Sequence, residues 1–118
     1  MLILIAHGSR RPEWRASVEG LVESLQTDIG RDAVQLAYMD CTPPTLGEVV
    51  SEAIRQGVQR IRVLPLFLTA EGHVDRDIQP LVEEARAAHP AVVLELLPPV
   101  GRHPMFLQLL RTIAIRES

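Results

Sequence analysis

Residues 2–12, Leu2-Ile3-Leu4-Ile5-Ala6-His7-Gly8-Ser9-Arg10-Arg11-Pro12, decide how the rest of the chain is read. Five consecutive apolar residues describe a strand buried on both faces, and a polar, glycine-containing turn then leads into a helix. Open α/β sheets hold their ligands in the crevice beyond the carboxyl ends of the strands. His7, Gly8, Ser9 and Arg10 therefore occupy the place where a site is expected.

Outward from that turn, the chain alternates strands and helices. Trp14, Val18, Leu21, Val22, Leu25 and Ile29 recur at helical spacing up to Gly30, which offers a left-handed stop. The opposite face, with Arg15, Glu19, Glu23 and Gln26, reads as solvated. Residues 33–39 (AVQLAYM) mix β-branched, aromatic and small apolar side chains over a strand's length. Thr42 then reads as an N-cap with Pro43 at the first helical position, and Leu46, Val49, Val50, Ala53 and Ile54 mark a helix that ends at Gly57.

Residues 60–68 (RIRVLPLFL) form the third strand, whose regular pairing should end or bulge near Pro65, because proline donates nothing to a ladder. A long loop follows to Asp77, carrying Glu71, Gly72, His73 and Asp75, and Asp77 is placed to cap a helix with Ile78, Leu81, Val82 and Ala85 inward. Residues 91–97 give the fourth strand. After the loop 98–103, Pro104 starts a last helix that turns Phe106, Leu109, Leu110 and Ile113 to one face. Leu107 and Ile115 fall off that face and leave apolar surface to spare, which a homodimer contact accounts for.

The βαβαβαβα pattern with short connections implies one domain over residues 1–118: an α/β, flavodoxin-like three-layer sandwich. Its four-stranded parallel sheet has the order 2-1-3-4 and its switch point between strands 1 and 3. That order brings His7, at the end of strand 1, and His73, in the loop after strand 3, to one crevice. Neutral imidazoles bind divalent transition metals and also titrate near physiological pH. With Glu71 and Asp40 near, such a pair holds a metal weakly with coordination positions open, which suits transfer better than storage. Taken singly, each histidine is more often a hydrogen-bonding loop residue than a ligand; the pairing of His7 and His73 at one switch point brings the two readings level.

Composition narrows the choice. At 118 residues, the chain is small to enclose a large substrate alone. Its net charge of −3 gives no electrostatic reason to expect nucleic acid. No apolar run has a membrane span's length, and no basic segment precedes the short N-terminal one, so a cytoplasmic protein is expected. The single cysteine, Cys41, excludes an internal disulfide framework and CxxC motifs. All 12 basic residues are arginine, so any anion site uses guanidinium forks, which suit carboxylates and phosphates.

Three segments carry a resemblance: HGSRRP at 7–12, PLFLTAEGHVDRDI at 65–78 and PPVGRHPMFLQLL at 98–110. Together, in this order, they resemble the short CbiX family of sirohydrochlorin chelatases. The likeness implies insertion of a divalent metal into sirohydrochlorin, in cobalamin or sirohaem-type biosynthesis. The metal implied is Co²⁺ first, with Ni²⁺ or Fe²⁺ in relatives, and it is a substrate; no organic cofactor is implied. It further implies a homodimer, with His7 and His73 as the metal-binding pair that also helps remove the pyrrole protons. Ser9, Arg10, Glu71, Gly72 and Arg102 are the implied contacts to the tetrapyrrole. Family members often carry a glutamate before the proline after strand 2, where this chain has Pro43 and, earlier, Asp40.

The chemistry matches these residues without the name. Metallation strips water from the cation, delivers it to four ring nitrogens and removes two N–H protons, so it needs labile ligands and a base beside an open face. Many carboxylates on the substrate call for cations such as Arg10, Arg11 and Arg102. A non-catalytic tetrapyrrole or metal carrier would share every ligand. A phosphohistidine-type phosphatase or mutase also uses a His-Gly pair after strand 1, but needs an arginine where this chain has Ala6.

Overall fold

A computed structural model describes residues 1–40, 42–68 and 74–117. Four strands, β1 (Leu2–Ala6), β2 (Val34–Tyr38), β3 (Arg60–Pro65) and β4 (Val93–Leu96), form one parallel sheet in the expected order β2-β1-β3-β4. The helices are α1 (Pro12–Ile29), α2 (Leu46–Arg55), α3 (Gln79–Ala88) and α4 (Pro104–Glu117).

In parallel strands, in-register partners point to the same face. One face carries Ile3, Ile5, Ala37, Ile61, Val63 and Leu94, and it is sealed by Val49, Val50 and Ala53 of α2 and by Val82 and Ala85 of α3. The other face is covered over β1 and β2 by α1, where Val22 packs with Leu4 and Val34. Gly30 ends α1 with φ +103°, and Gly57 follows α2 with φ +90°, conformations that glycine adopts without a Cβ penalty.

Local chemistry moved two expected helix starts. Helix α2 begins at Leu46 rather than Pro43, because Pro44 bars residue 43 from the helical region. Thr45 supplies the cap: its hydroxyl accepts the Glu48 N–H at 3.2 Å, and Glu48 Oε1 accepts the Thr45 N–H at 3.1 Å. Ahead of α3, Val74–Ile78 coil into a π-helical turn that runs directly into the helix. Ile78, already helical at φ −94° and ψ −44°, stands at the cap position with no side-chain cap, so Asp77 does not cap α3. Pro80 lies in the first turn, where its missing N–H costs little.

Helix α4 departs most from the sequence reading. Its expected inner face is not buried: Leu109, Leu110 and Ile113 remain 52%, 48% and 48% exposed. Among the described residues, the helix packs chiefly on the short 3₁₀ turn Val100–Arg102 that precedes it. Beyond α1, the sheet face over β3 and β4 accordingly leaves Arg60, Arg62, Val93 and Glu95 exposed. The chain measures 50 × 31 × 29 Å, with a radius of gyration of 15.0 Å; about 13.5 Å is usual for a chain of this length. Among the described residues, no helix is long and apolar enough to cross a membrane.

Candidate functional site

The carboxyl ends of β1 and β3 lie side by side because Leu66 continues the ladder, its N–H donating to the Ile5 carbonyl at 2.9 Å. On the other side of β1, the Met39 N–H donates to the Ala6 carbonyl at 2.9 Å. His7 emerges between these two exits. Its ring is exposed to solvent and leans against Phe67, with centroids 4.9 Å apart and planes tilted by 43°. Phe67 is itself buried in the core, so it offers the imidazole a fixed wall.

Two glycines bring the loops together. The Gly8 N–H donates to Asp40 Oδ1 at 3.0 Å, and a Cβ on Gly8 would lie 1.7 Å from the Asp40 carbonyl oxygen. Across the crevice, the Gly101 N–H donates to the Phe67 carbonyl at 3.0 Å, and a Cβ on Gly101 would lie 1.8 Å from the Leu68 carbonyl oxygen. The turns after β1 and β2 therefore touch backbone to backbone, as do those after β3 and β4. No larger residue permits either approach.

Ser9 is held from two directions. Its hydroxyl accepts the Arg11 N–H at 3.1 Å, opening α1, and its carbonyl accepts from Arg15 Nη1 at 2.8 Å. Arg15 Nε pairs with Glu19 Oε2 at 3.3 Å, and the same carboxylate oxygen accepts the Tyr38 hydroxyl at 2.6 Å. Burial, together with the Glu19 carboxylate bonded to it, holds the Tyr38 hydroxyl well above its usual range, with Arg15 offsetting part of the effect. The face of α1 expected to be solvated is thus partly committed. Gln26 on that face also turns inward, donating to the Val34 carbonyl at 3.0 Å. The Arg15/Glu19 spacing was visible in the sequence, but a strand aromatic facing them is visible only once register is known.

Arg10 and Arg102 are exposed, in the turns after β1 and β4, on the same sheet edge as His7. His103 opens α4: its Nδ1 accepts the Met105 N–H at 3.2 Å, which places any ring proton of the neutral form on Nε2. His73, Glu71, Gly72 and Cys41 lie outside the described residues. Among the described residues, no three His, Cys, Asp or Glu side chains converge on one point. His89 is half-buried, with Nε2 3.2 Å from the Ser51 hydroxyl in a cleft of about 360 Å³ between α2 and α3.

A family model described as CbiX matches residues 1–116. A chloroplastic sirohydrochlorin ferrochelatase from Arabidopsis thaliana is 29% identical over 106 residues, covering 90% of this chain and 47% of that protein. A sirohydrochlorin cobaltochelatase from Methanopyrus kandleri is 36% identical over 77 residues, covering 65% of this chain and 54% of that protein. The chain thus spans about half the length of these curated relatives. The crystal structure of a CbiX protein from Marinobacter aquaeolei VT8 superposes with a TM-score of 0.84 at 34% identity, covering 99% of this chain and 93% of that one.

Proposed function

Because the chain belongs to the CbiX family, we propose that it is a sirohydrochlorin chelatase, taking a divalent cation and the metal-free macrocycle to the metallated ring with release of two protons. The observation that carries this reading is the position of His7: solvent-facing, at the carboxyl end of β1 beside the exit of β3, with its ring set against Phe67.

In this reading, His7 and His73 hold the hydrated cation through neutral imidazole nitrogens and exchange it to the ring nitrogens as water leaves. Each then accepts a pyrrole proton. Arg10 and Arg102 are assigned to the substrate's carboxylates, and Ser9, Glu71 and Gly72 are assigned as further substrate contacts. Co²⁺ is the metal we assign. Relatives named for cobalt and for iron both match the chain, so Fe²⁺ and Ni²⁺ belong in the same assay. The working unit is a homodimer, supported by the apolar surface that α4 leaves uncovered.

The test is a visible-absorbance assay of sirohydrochlorin with Co²⁺, beside protein-free and His7→Ala controls. Catalysed insertion by the wild type that His7→Ala loses supports the reading. A spectral change proportional to protein concentration and without turnover makes the chain a carrier. No change with any of the three metals rejects the tetrapyrrole reading.

A further inference from the structure

Trp14 lies on the flank of the sheet-facing stripe of α1, about 80° round the helix from Val22, and is 69% exposed. Its level along the helix adds to that exposure. Val22 packs at the level of Leu4 and Val34. Trp14 lies two turns further up α1, about 12 Å along the axis at 1.5 Å per residue, whereas β1 continues only from Leu4 to Ala6, about 7 Å. The first turn of α1 therefore overhangs the carboxyl edge of the sheet by about 5 Å. There Arg15, on the stripe, is held by the Ser9 carbonyl of the turn after β1, and Trp14, on the stripe's flank, stays in solvent.

The overhang is also cationic. The Arg11 guanidinium carbon sits 5.1 Å from the centre of the Trp14 ring, and exposed Arg10 adjoins it in the chain. An exposed indole beside guanidinium groups, above the edge where His7 emerges, fits a broad, flat, conjugated ligand with a carboxylate rim. The ring system stacks on the indole, and the rim meets the arginines.

We propose that Trp14 is the stacking wall of the macrocycle site, with Arg11 paired to a peripheral carboxylate of the bound ring. This rests on the tetrapyrrole reading above but adds to it a residue that binds the ring and takes no part in moving metal or protons. Trp14 is the chain's only tryptophan, so its substitution removes the only indole.

The experiment measures the dissociation constant of metal-free sirohydrochlorin, from its own absorbance, for wild type, Trp14→Ala and Trp14→Phe. Metal-insertion kinetics and sedimentation velocity are run on the same preparations. Trp14→Ala is expected to weaken binding about tenfold and raise KM in parallel, with kcat within about twofold, and Trp14→Phe to recover most of the loss. Equal affinity in all three proteins overturns the proposal while leaving the chelatase reading intact. So does weaker binding that tracks loss of self-association in Trp14→Ala, since Trp14 would then be an interface residue. A wild type that binds no macrocycle overturns both.

Discussion

Gly8 and Asp40 meet twice: the Gly8 amide donates to Asp40 Oδ1 at 3.0 Å, and the Gly8 α-carbon approaches so closely that a Cβ would lie 1.7 Å from the Asp40 carbonyl oxygen. The clash is with backbone, so no side-chain rotation relieves it. Gly8→Ala is expected to destabilise the fold by about 1–3 kcal/mol and to move His7, its chain neighbour. Asp40→Asn keeps an acceptor at Oδ1 and should stay within about 0.5 kcal/mol of wild type, whereas Asp40→Ala loses about 1 kcal/mol. Urea unfolding midpoints of the three variants check the order.

Gly101 and Gly20 make an internal contrast. A Cβ on Gly101 would lie 1.8 Å from the Leu68 carbonyl oxygen, but one on Gly20, inside α1, meets nothing within 4 Å. Gly101→Ala should therefore destabilise by about 1–3 kcal/mol, and Gly20→Ala should stabilise by about 0.5–1 kcal/mol through the lower entropy of the unfolded chain. Thermal unfolding of both variants is the check, and equal shifts would contradict the close approach at Leu68.

Tyr38 supplies a pH prediction with a defined sign. Its hydroxyl is held above the ordinary value of 10.0 by burial and by Glu19. Above that pH the unfolded chain loses the tyrosine proton while the folded chain keeps it, so the native state binds more protons and stability falls as pH rises. Below pH 10, Tyr38→Phe is expected to cost about 1 kcal/mol, a modest figure because Glu19 is half exposed and screened. Above it, the gap between wild type and variant narrows. Tyr38 is the chain's single tyrosine and there is no lysine, so the tyrosinate absorbance band follows this one group. A midpoint near 10 in the folded protein would contradict the buried bond to Glu19.

The contact between His7 and Phe67 carries a functional prediction that rests on the proposed metal role of His7. Phe67→Leu keeps the core apolar but removes the ring that the imidazole leans on. Aromatic pairs contribute about 0.5–1.5 kcal/mol beyond their area. Co²⁺ affinity should accordingly fall about threefold in Phe67→Leu and by tenfold or more in His7→Ala, measured by titration with the metal alone. Unchanged affinity in Phe67→Leu would mean that the ring does not orient His7.

The sheet order, the position of His7 and the stops at Gly30 and Gly57 were legible in the sequence, because each follows from a local rule: periodicity, strand-to-turn punctuation or positive φ. What escaped depends on register or on distance. Tyr38 reaches Glu19 only because β2 pairs with β1 so that Tyr38 faces α1, and nothing local records that pairing. The start of α2 at Leu46 rather than Pro43 follows from two local signals, the T-x-x-E capping box at Thr45 to Glu48 and the bar that Pro44 places on residue 43. Trp14 shares the apolar spacing of α1 but lies on the flank of the buried stripe, and spacing alone does not record where the partner sheet ends.

The apolar stripe on α4 shows the same limit and makes the last prediction. Leu109, Leu110 and Ile113 have the spacing of a buried face, yet they remain about half exposed. On the same molecule, the sheet face over β3 and β4 leaves Val93, Arg62 and Glu95 exposed. The apolar helix surface left uncovered on one chain is what a second copy would bury, which is the physical support for the proposed homodimer. Leu109→Glu combined with Ile113→Glu places charge where a second copy would bury it and where the isolated chain leaves the side chains in solvent. Sedimentation velocity should show the double variant shifted to monomer, with far-ultraviolet circular dichroism unchanged. Wild type and variant sedimenting alike would mean that α4 does not pair two copies and that its stripe faces water in the working protein.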